Sequence, residues 1–336
     1  MTIEIVRELP AEEWSRFVMD HGEGNIFHTP DMFRVFSRTK NHRPELWAAA
    51  QNGHLLALFL PVQIRLKRAW PRRLTTRSVV YGSILCEPGE TGQEALDQLL
   101  RAYVRRPRQD SLFTELRHLS DHRDLMPILD RHGFVHENHL NYLIHLDRPE
   151  DELFRSIGSR TRKNIRHGLN QGQVTVEELT DRKQVASCYD VLRQTYKAAR
   201  VPLADISLFE SAFDLLYAKG MARFSLAYLD RTPAAVSVDL LYKDIIYGWY
   251  GGVNRDCGRQ PVHELLMWHI LRWGSQNGFG VYDFGGAGKP DEKYGVRDFK
   301  SKFGGGLVDY GRHICVHSRR LLWLSEKGYR LFRRWL

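Results

Sequence analysis

The sequence predicts an α/β protein with mixed, mainly antiparallel sheets, and three observations carry that prediction. Segments with the two-residue period of strands alternate with segments of helical period along the chain. The pair Asn52-Gly53 joins the strand-like segments 45–50 and 54–64 as an antiparallel hairpin. Three further strand-like segments follow one another with only short turns between them, at 222–229, 234–242 and 245–251. The 336 residues are enough for two domains, each with a core of its own.

The first half of the chain predicts strands and helices in alternation. Thr29 precedes Pro30, which is typical of a helix N-cap followed by proline at the first helical position. Residues 66–77 form a basic loop, interpreted as a solvated rim or a binding patch. The predicted strands are 3–6, 45–50, 54–64, 111–116 and 134–146, the last as one or two strands. The predicted helices are 11–19, 30–38, 94–105 and 121–132.

Residues 150–171 predict one helix, or two helices broken at Gly158. Apolar residues recur there at multiples of four positions and form one stripe, which a helix would bury. Acidic residues are missing from 155 to 173, and basic residues occupy the other faces: Arg155, Arg160, Arg162, Lys163, Arg166 and His167. Two interpretations stay open, an anion site for phosphate-bearing ligands and a solvated helix face.

The second half repeats the alternation of the first. Its predicted strands are 174–179, 222–229, 234–242, 245–251, 281–284 and 307–316. Its predicted helices are 182–199, 207–218, 261–276 and 318–336. We expect domains at 1–147 and 148–316, the second with the active site, and a basic amphipathic helix at 317–336.

Charge and cysteine usage limit the class of protein. The formal charge of +9 lies mainly in arginine, which suits phosphate, carboxylate or anionic membrane partners. The four cysteines lie far apart and predict neither a metal site nor a disulfide framework, so a reducing cytoplasm fits best. No segment approaches the roughly 18 to 20 apolar residues of a membrane span. We therefore expect a cytoplasmic protein, peripheral at the inner membrane face at most.

The stretch 280–306 carries the groups most suited to chemistry. A short apolar strand leads to a run of glycines, where the backbone can approach a ligand closely. The chemically capable residues there are Asp283, Lys289, Tyr294 and Lys300. The alternative is a mobile surface loop. A zinc-binding helix is excluded because His263 and His269 are six residues apart rather than four.

Four short segments carry a family resemblance: 27–30 (FHTP), 160–166 (RTRKNIR), 282–286 (YDFGG) and 299–305 (FKSKFGG). Together with the order of elements, they resemble the GNAT acyltransferase superfamily and, more closely, the Fem-type (FemAB-like) transferases with two such domains in tandem. The resemblance spans about residues 25–316. It implies splayed sheets with an acyl donor in the wedge. It also implies transfer of an amino acid from aminoacyl-tRNA, or of an acyl group from a thioester, onto an amine of a cell-envelope precursor such as a peptidoglycan precursor.

The resemblance implies an active-site position for Lys300, and the chemistry of the residues suggests the other candidates. Lys300, which follows Phe299, would lie at the active site and stabilise the charge that develops during acyl transfer. Asp283 would accept the proton of the attacking ammonium, or cap the glycine turn instead. The candidate substrate-binding residues are Arg160, Arg162, Lys163, Arg166, Arg200, Tyr250 and Phe299. The candidate donor-binding residues, where a GNAT helix start cradles coenzyme A, are Asn254, Arg255, Gly258 and Arg259.

No metal and no permanently bound cofactor is predicted, and the donor is either aminoacyl-tRNA or acyl-coenzyme A. A rival within the class transfers an acyl group from coenzyme A to a sugar or lipid amine. A rival from another class is a non-catalytic module that binds nucleic acid or anionic lipid through the basic helix and residues 319–334. That last segment would lie on a membrane surface or pack back on the first domain.

Overall fold

The computed structural model describes residues 2–66, 71–106, 110–254 and 260–332. Its strands are β1 (Glu4–Val6), β2 (His42–Pro44), β3 (Trp47–Gln51), β4 (His54–Phe59), β5 (Val62–Arg65), β6 (Thr76–Tyr81), β7 (Leu85–Cys86), β8 (Phe113–Arg117), β9 (Phe134–Glu137), β10 (Leu140–His145), β11 (Val174–Glu178), β12 (Ala222–Leu229), β13 (Thr232–Tyr242), β14 (Ile245–Val253), β15 (Val281–Gly286), β16 (Gly306–Asp309) and β17 (Arg312–Val316). Its helices are α1 (Ala11–Asp20), α2 (Pro30–Arg38), α3 (Arg72–Thr75), α4 (Glu90–Val104), α5 (Met126–Arg131), α6 (Glu150–Ser156), α7 (Ser159–Gln171), α8 (Val185–Ala199), α9 (Ile206–Leu216), α10 (Val262–Gln276), α11 (Gly295–Lys300) and α12 (Arg319–Phe332).

The chain divides into two compact units. Unit 1 contains Met1–Asn138 and Tyr310–Leu336, and unit 2 contains His139–Asp309. The predicted division placed the boundaries after 147 and 316. The strands account for the difference, because β10 belongs to the sheet of unit 2 and β17 to a sheet of unit 1.

Unit 1 holds two sheets, with strand orders β1-β3-β4-β7 and β2-β5-β6-β8-β17-β9. The pair β6–β8 is parallel, and the other strand pairs of unit 1 are antiparallel. Helix α4 packs against β3 and β4. Its packed face consists of fully buried residues spaced three and four positions apart: Ala95, Leu96, Leu99, Leu100 and Tyr103. The core of unit 1 therefore forms between this helix and the strands.

Unit 2 is built on one seven-stranded sheet with the order β11-β12-β13-β14-β15-β10-β16. Among the strand pairs that the structure describes in this unit, only β14–β15 is parallel. Neighbouring side chains of β12 point to opposite faces, because Arg223 lies over the Trp273 ring of α10 while Phe224 packs edge-on against Phe213 of α9. Helices therefore cover both faces of this sheet.

Several local predictions are confirmed. The Thr29 hydroxyl accepts a hydrogen bond from the Met32 backbone N–H, with Pro30 at the start of α2. Asn52 and Gly53 turn the chain between β3 and β4 with positive φ angles of 52° and 78°. The helix predicted at 150–171 is two helices, α6 and α7, with the break at Gly158.

Other predictions need correction. The single strand predicted at 54–64 is two strands, because Pro61 interrupts it and cannot donate to a ladder. The strand predicted at 307–316 is also two strands, β16 and β17, which turn apart at Gly311 with φ 69° and join different sheets. Strand β6 lies partly in the predicted basic loop, and helix α11 lies within the stretch 280–306, for which the sequence predicted no helix.

Candidate active site

The parallel strands β14 and β15 separate where the glycine-rich stretch begins. Their pairing ends at Tyr247 opposite Asp283, although β14 continues to Val253 along β13. Beyond this point, one residue before its end, β15 contains Gly285, whose φ of 70° a side chain would disfavour. The carbonyl oxygen of Gly248 lies 3.7 Å from the place that a Gly285 Cβ would occupy. Gly248 and Gly285, which have no side chains, thus lie close together at the separation.

Lys300, at the end of α11, is buried and binds the backbone of this strand end. Its Nζ donates to the carbonyl oxygens of Phe284, Gly285 (3.1 Å) and Gly286 (2.9 Å). An ammonium has three N–H donors, so these carbonyls use all of them. Burial lowers the pKa of Lys300 to about 8, and the Asp283 carboxylate opposes that shift. The side chain is a desolvated cation that holds three consecutive peptide groups in one orientation.

Asp283 lies beside this cation and is also buried. Its Oδ1 accepts from the Gly285 backbone N–H at 2.6 Å, and its Oδ2 accepts from the Asn141 amide at 3.4 Å. Burial raises the pKa of Asp283 to about 6, while the Gly285 hydrogen bond and the Lys300 charge act in the opposite direction. The carboxyl group therefore titrates close to neutral pH, which is the property that a proton acceptor needs. It also caps the glycine turn, so both predicted roles are compatible with the geometry.

The basic helix α7 begins next to the segment that carries Lys300. The Gly158 backbone N–H, just before α7, donates to the Lys302 carbonyl oxygen at 2.8 Å. Farther along, Gly168 lies so close to α10 that a Cβ there would come within 2.7 Å of Leu265. The Phe299 ring stacks on His263 at the start of α10, with centroids 4.1 Å apart. One cluster in unit 2 thus contains the start of α10, the start of α7 and the segment around Lys300.

The cationic side chains of α7 differ in their surroundings. Arg160, Lys163 and Arg166 are exposed, and Arg166 lies over the Phe154 ring. Arg162 is half-buried and donates to the carbonyl oxygen of Ile157 at 2.9 Å, so it closes the α6–α7 junction. Among the described residues, Arg160 and Lys163 have no acidic partner within salt-bridge distance. The helix therefore presents uncompensated positive charge beside the cluster.

The remaining predicted residues lie elsewhere in unit 2. Tyr250 sits on β14 among aromatic rings, with the centroids of Phe209 and Tyr196 at 4.8 and 5.9 Å. Burial, and then the nearby Tyr294, raise the pKa of Tyr196 to about 12. Arg200 ends α8 in the left-handed conformation and is exposed, without a contact to Lys300 or Asp283 in the part of the chain that the structure describes. Asn254 donates its backbone N–H to the Ala234 carbonyl, while Arg255, Gly258 and Arg259 lie outside the described residues.

A second buried carboxyl group near the strand separation was not singled out from the sequence. Asp239 on β13 accepts hydrogen bonds from Ser237 Oγ (3.0 Å) and Tyr282 Oη (3.1 Å), and burial raises its pKa to about 7. Its other oxygen, Oδ2, is buried without a hydrogen-bond partner. The sequence signal was a charged residue at an inward position of an otherwise apolar strand.

The described residues contain neither a metal-binding cluster nor a membrane-spanning helix. No group of three or more His, Cys, Asp or Glu side chains there has the geometry to hold a metal ion. None of the helices found in the same residues has both the length and the apolar character required to cross a bilayer.

Comparison with known proteins identifies what this fold resembles. The family model of the acetyltransferase (GNAT) domain matches residues 155–301. The crystal structure of FemX is similar with a TM-score of 0.70, at 16% identity, over 98% of this chain and 99% of that chain. A tandem GNAT protein from the clavulanic acid biosynthesis pathway is similar with a TM-score of 0.61, at 10% identity, over 94% and 99%.

The C-terminal domain of a putative lysylphosphatidylglycerol synthetase from Agrobacterium fabrum has a TM-score of 0.59, at 13% identity, over 96% of both chains. No curated protein matched the chain in sequence. The predicted α/β fold with two GNAT-like domains in tandem is confirmed.

Proposed function

Because this chain has a Fem-like tandem GNAT fold with a GNAT acetyltransferase domain at residues 155–301, we propose that it is an acyltransferase acting at unit 2. In this proposal an activated aminoacyl group moves from aminoacyl-tRNA to an amine of a cell-envelope precursor, as in peptidoglycan-related cell wall biogenesis. The observation that carries it is the buried Lys300 cation bound to the carbonyls of a glycine-rich strand end, at the point where β14 and β15 separate.

The chemistry follows from what Lys300 does to the backbone. A trans peptide group points its C=O and N–H in opposite directions, so binding three carbonyls also fixes the N–H groups of the same peptides. When the amine attacks the ester carbonyl, negative charge develops on the carbonyl oxygen. The desolvated cation nearby stabilises that charge without reorganisation during the reaction, whereas the N–H groups of Gly285 and Ala287 are already bound to Asp283 and to the Leu140 carbonyl. Lys300 acts here through charge and through the orientation of the strand end.

Asp283 accepts the proton in this mechanism. The attacking group is an ammonium in water and must lose a proton before its nitrogen can form the new amide bond. With a pKa of about 6, the Asp283 carboxylate is ionised at neutral pH and still basic enough to assist. Because Asp283 is buried, the proton reaches it through a bound water. The alcohol of the donor leaves with a proton as the ester bond breaks.

Basic residues beside the site suit an anionic substrate. Arg160 and Lys163 stand near the start of α7, where helix N–H groups favour negative charge. The phosphates of a tRNA acceptor stem and of a lipid-linked or nucleotide-linked acceptor carry the matching charge. The name of one similar structure, lysylphosphatidylglycerol synthetase, describes an aminoacylated lipid. A peripheral membrane contact belongs to the same proposal, since a lipid-linked acceptor lies at the bilayer surface.

One observation favours a second function. The matching family model is that of an acetyltransferase, and acyl-coenzyme A is the donor used by GNAT acetyltransferases. An N-acyltransferase acting on a sugar or lipid amine would use the same strand separation, with coenzyme A bound near Asn254. A non-catalytic module that binds nucleic acid or anionic lipid through α7 is the third candidate, and it needs neither Lys300 nor Asp283.

The deciding experiment compares donors on the purified protein. Thermal stabilisation is measured with charged tRNA, uncharged tRNA, acetyl-coenzyme A and longer acyl-coenzymes A, because a ligand of the native state raises the melting temperature. Transfer of a labelled amino acid or acetyl group to amine acceptors is then followed. Stabilisation and transfer with charged tRNA support the aminoacyl proposal. Activity with coenzyme A thioesters alone replaces it with the second function, and binding without transfer supports the module.

A further inference from the structure

The outward face of α12 in unit 1 carries large apolar side chains where a packed helix normally carries polar ones. Trp323 is 53% exposed and Leu324 is 49% exposed. A helix that packs on a folded unit usually turns such residues inward. Exposed apolar groups collected on one face, with charged residues around them, mark an interaction surface.

The packing of α12 explains why these two residues face outward. Ser325 Oγ donates to the Leu74 carbonyl oxygen at 2.8 Å, so that side of α12 lies against α3. Arg320, Trp323, Leu324 and Lys327 are spaced by three and four residues and share another face of the helix. Leu66, which is 48% exposed, is joined to α3 by the bond from its N–H to the Thr75 carbonyl. Exposed apolar side chains therefore occur both on α12 and at Leu66, and each of these contacts α3.

The charged side chains that the structure describes on this face are positive. Arg73, Arg319 and Arg320 are exposed, and none of them has an acidic partner among the described side chains. The Lys327 ammonium lies 3.8 Å from the centroid of the Trp323 ring. Tryptophan and lysine or arginine side chains at one level are typical of groups placed at a membrane–water interface.

We propose that this surface, defined by Leu66, Arg73, Arg319, Arg320, Trp323, Leu324 and Lys327, docks on a bilayer that contains anionic lipid. Trp323 and Leu324 enter the headgroup region, and the cations contact lipid phosphates. The proposal is independent of the transfer reaction, because binding needs no substrate. It identifies residues for the peripheral contact on unit 1, whereas the candidate active site belongs to unit 2.

Two other occupants fit the same surface less well. Nucleic acid phosphates would match the arginines but would leave Leu324 without an apolar partner. A second copy of the chain, related by a two-fold axis, would bring the same uncompensated cations against each other. Charge complementarity and the apolar pair together select the anionic membrane.

The experiment measures sedimentation of the full chain with vesicles of phosphatidylcholine alone or mixed with phosphatidylglycerol. We expect binding to the mixed vesicles that weakens with salt. Changing Trp323 and Leu324 together to Ala lowers that binding about tenfold. Changing Arg319 and Arg320 together to Gln lowers it about 30-fold, since each interfacial cation contributes roughly one kcal/mol.

Matched controls come from the same unit. Met19→Ala with Val135→Ala removes apolar residues that are 54% and 66% exposed elsewhere, and Arg16→Gln removes an exposed cation. These variants bind as the wild type does. Quenching of tryptophan fluorescence by brominated lipid, lost in Trp323→Phe, gives a readout in a variant that keeps the apolar character.

Several outcomes overturn the proposal. Absence of binding to anionic vesicles, or equal losses in the control variants, excludes this surface. Binding of RNA that depends on Arg319 and Arg320 but not on Trp323 or Leu324, without vesicle binding, assigns it to nucleic acid. A dimer that dissociates in the Trp323→Ala and Leu324→Ala variant assigns it to a second copy. Transfer to a soluble acceptor, measured in parallel, shows whether the proposed function stands when docking fails.

Discussion

Both units place a Tyr-Gly pair at the end of their one parallel strand pair. In unit 1 the sequence VVYG ends β6, and Tyr81 lies opposite Arg117 of β8. In unit 2 the sequence IIYG occurs in β14, and Tyr247 lies opposite Asp283 of β15. Beyond the glycine the two units differ. Unit 1 turns at Gly82 and Ser83, both with positive φ (76° and 74°), whereas β14 of unit 2 continues to Val253.

In unit 1, a buried polar network occupies the region after the parallel pair. Ser83 Oγ lies 2.7 Å from His118 Nδ1, and His118 Nε2 lies 2.7 Å from His313 Nδ1. All three side chains are buried, and the His122 ring lies 4.9 Å from that of His118. Side chains fill here the place that glycines occupy in unit 2. In the proposed function unit 2 is the reactive unit, so we expect the two units to respond differently to substitution and to pH.

The largest effect is expected for Lys300→Ala. Without this cation, three carbonyls lose their donor and the strand end loses its fixed orientation, so transfer falls about 100- to 1000-fold. Binding of the donor, measured by thermal stabilisation, is retained. Lys302→Ala is the matched control, because Lys302 is exposed and lies over the Phe299 ring in the same segment. Equal losses in both variants would assign the effect to the segment rather than to the buried cation.

Acid is expected to destabilise unit 1 in particular. Burial lowers the pKa values of His118, His122 and His313 below the usual value of 6.5, so the unfolded chain binds their protons more readily. The stabilisation that these neutral histidines contribute is fully present above pH 6.5. It decreases as the pH falls towards 4, by up to about 1.4 kcal/mol per pH unit for each histidine. Glu23 offsets part of this loss, since its pKa is raised to about 7.

In unit 2, two buried carboxyl groups act in the opposite direction and offset the lowered pKa values of the buried His263 and His269. The raised pKa values of Asp283 (about 6) and Asp239 (about 7) mean that the folded state holds these protons longer, so stability is lost as the pH rises through this range. Hydrogen exchange at pH 7 and pH 5, corrected for intrinsic rates, separates the units. We expect faster exchange at pH 5 in peptides of β6, β8 and β17 only. Uniform acceleration in both units contradicts the contrast.

Substitutions of Ser83 compare the loss of a buried hydrogen bond with the relief of an unfavourable positive φ. Ser83→Ala removes the partner of His118 Nδ1 and leaves that buried nitrogen unpaired, which costs about 1 to 3 kcal/mol. Ser83→Gly loses the same bond but relieves the positive φ, which returns about 1 kcal/mol. Chemical denaturation is expected to rank the variants wild type, Gly, Ala, with transfer unchanged in all three. Loss of transfer in either variant would make unit 1 part of the reactive machinery.

The smallest effect is expected for Gly248→Ala in unit 2. The new Cβ would lie 2.6 Å from Tyr282 Oη, which Asp239 holds by a hydrogen bond. Displacing the Tyr282 ring lowers the free energy of unfolding by about 1 to 3 kcal/mol. Alanine stabilises a strand relative to glycine by about 0.5 to 1 kcal/mol, which offsets part of that loss. Gly82→Ala in unit 1 also places a side chain at a positive φ, so we expect it to lose more stability than Gly248→Ala. A smaller loss of stability in Gly82→Ala would contradict the difference described between the two Tyr-Gly pairs.

Local patterns in the sequence predicted most elements of the fold. The Asn52-Gly53 hairpin and the capped start of α2 depend on residues close together in the chain, and both were predictable. Strand β6 was missed because basic residues run into it. The division of 307–316 between two sheets depends on pairing with β10 and β8, which no local pattern encodes.

The candidate site shows the same limit. Asp283 and Lys300 were singled out by type and by a family resemblance. The burial of Lys300 depends on α11 folding back onto β15, and the link between His118 and His313 joins residues 195 positions apart. Asp239 was read as part of an ordinary strand, because its partner Tyr282 lies 43 residues away.

The position of β17 has a consequence for biogenesis. This strand lies between β8 and β9, inside the sheet of unit 1, although the ribosome synthesises it only after all of residues 139–309. During translation, β8 and β9 therefore emerge with an unfilled gap between them, while unit 2 is continuous in sequence and complete before its partner. The gap closes only after residues 312–316 are synthesised, so the sheet of unit 2 can form before that of unit 1 is complete.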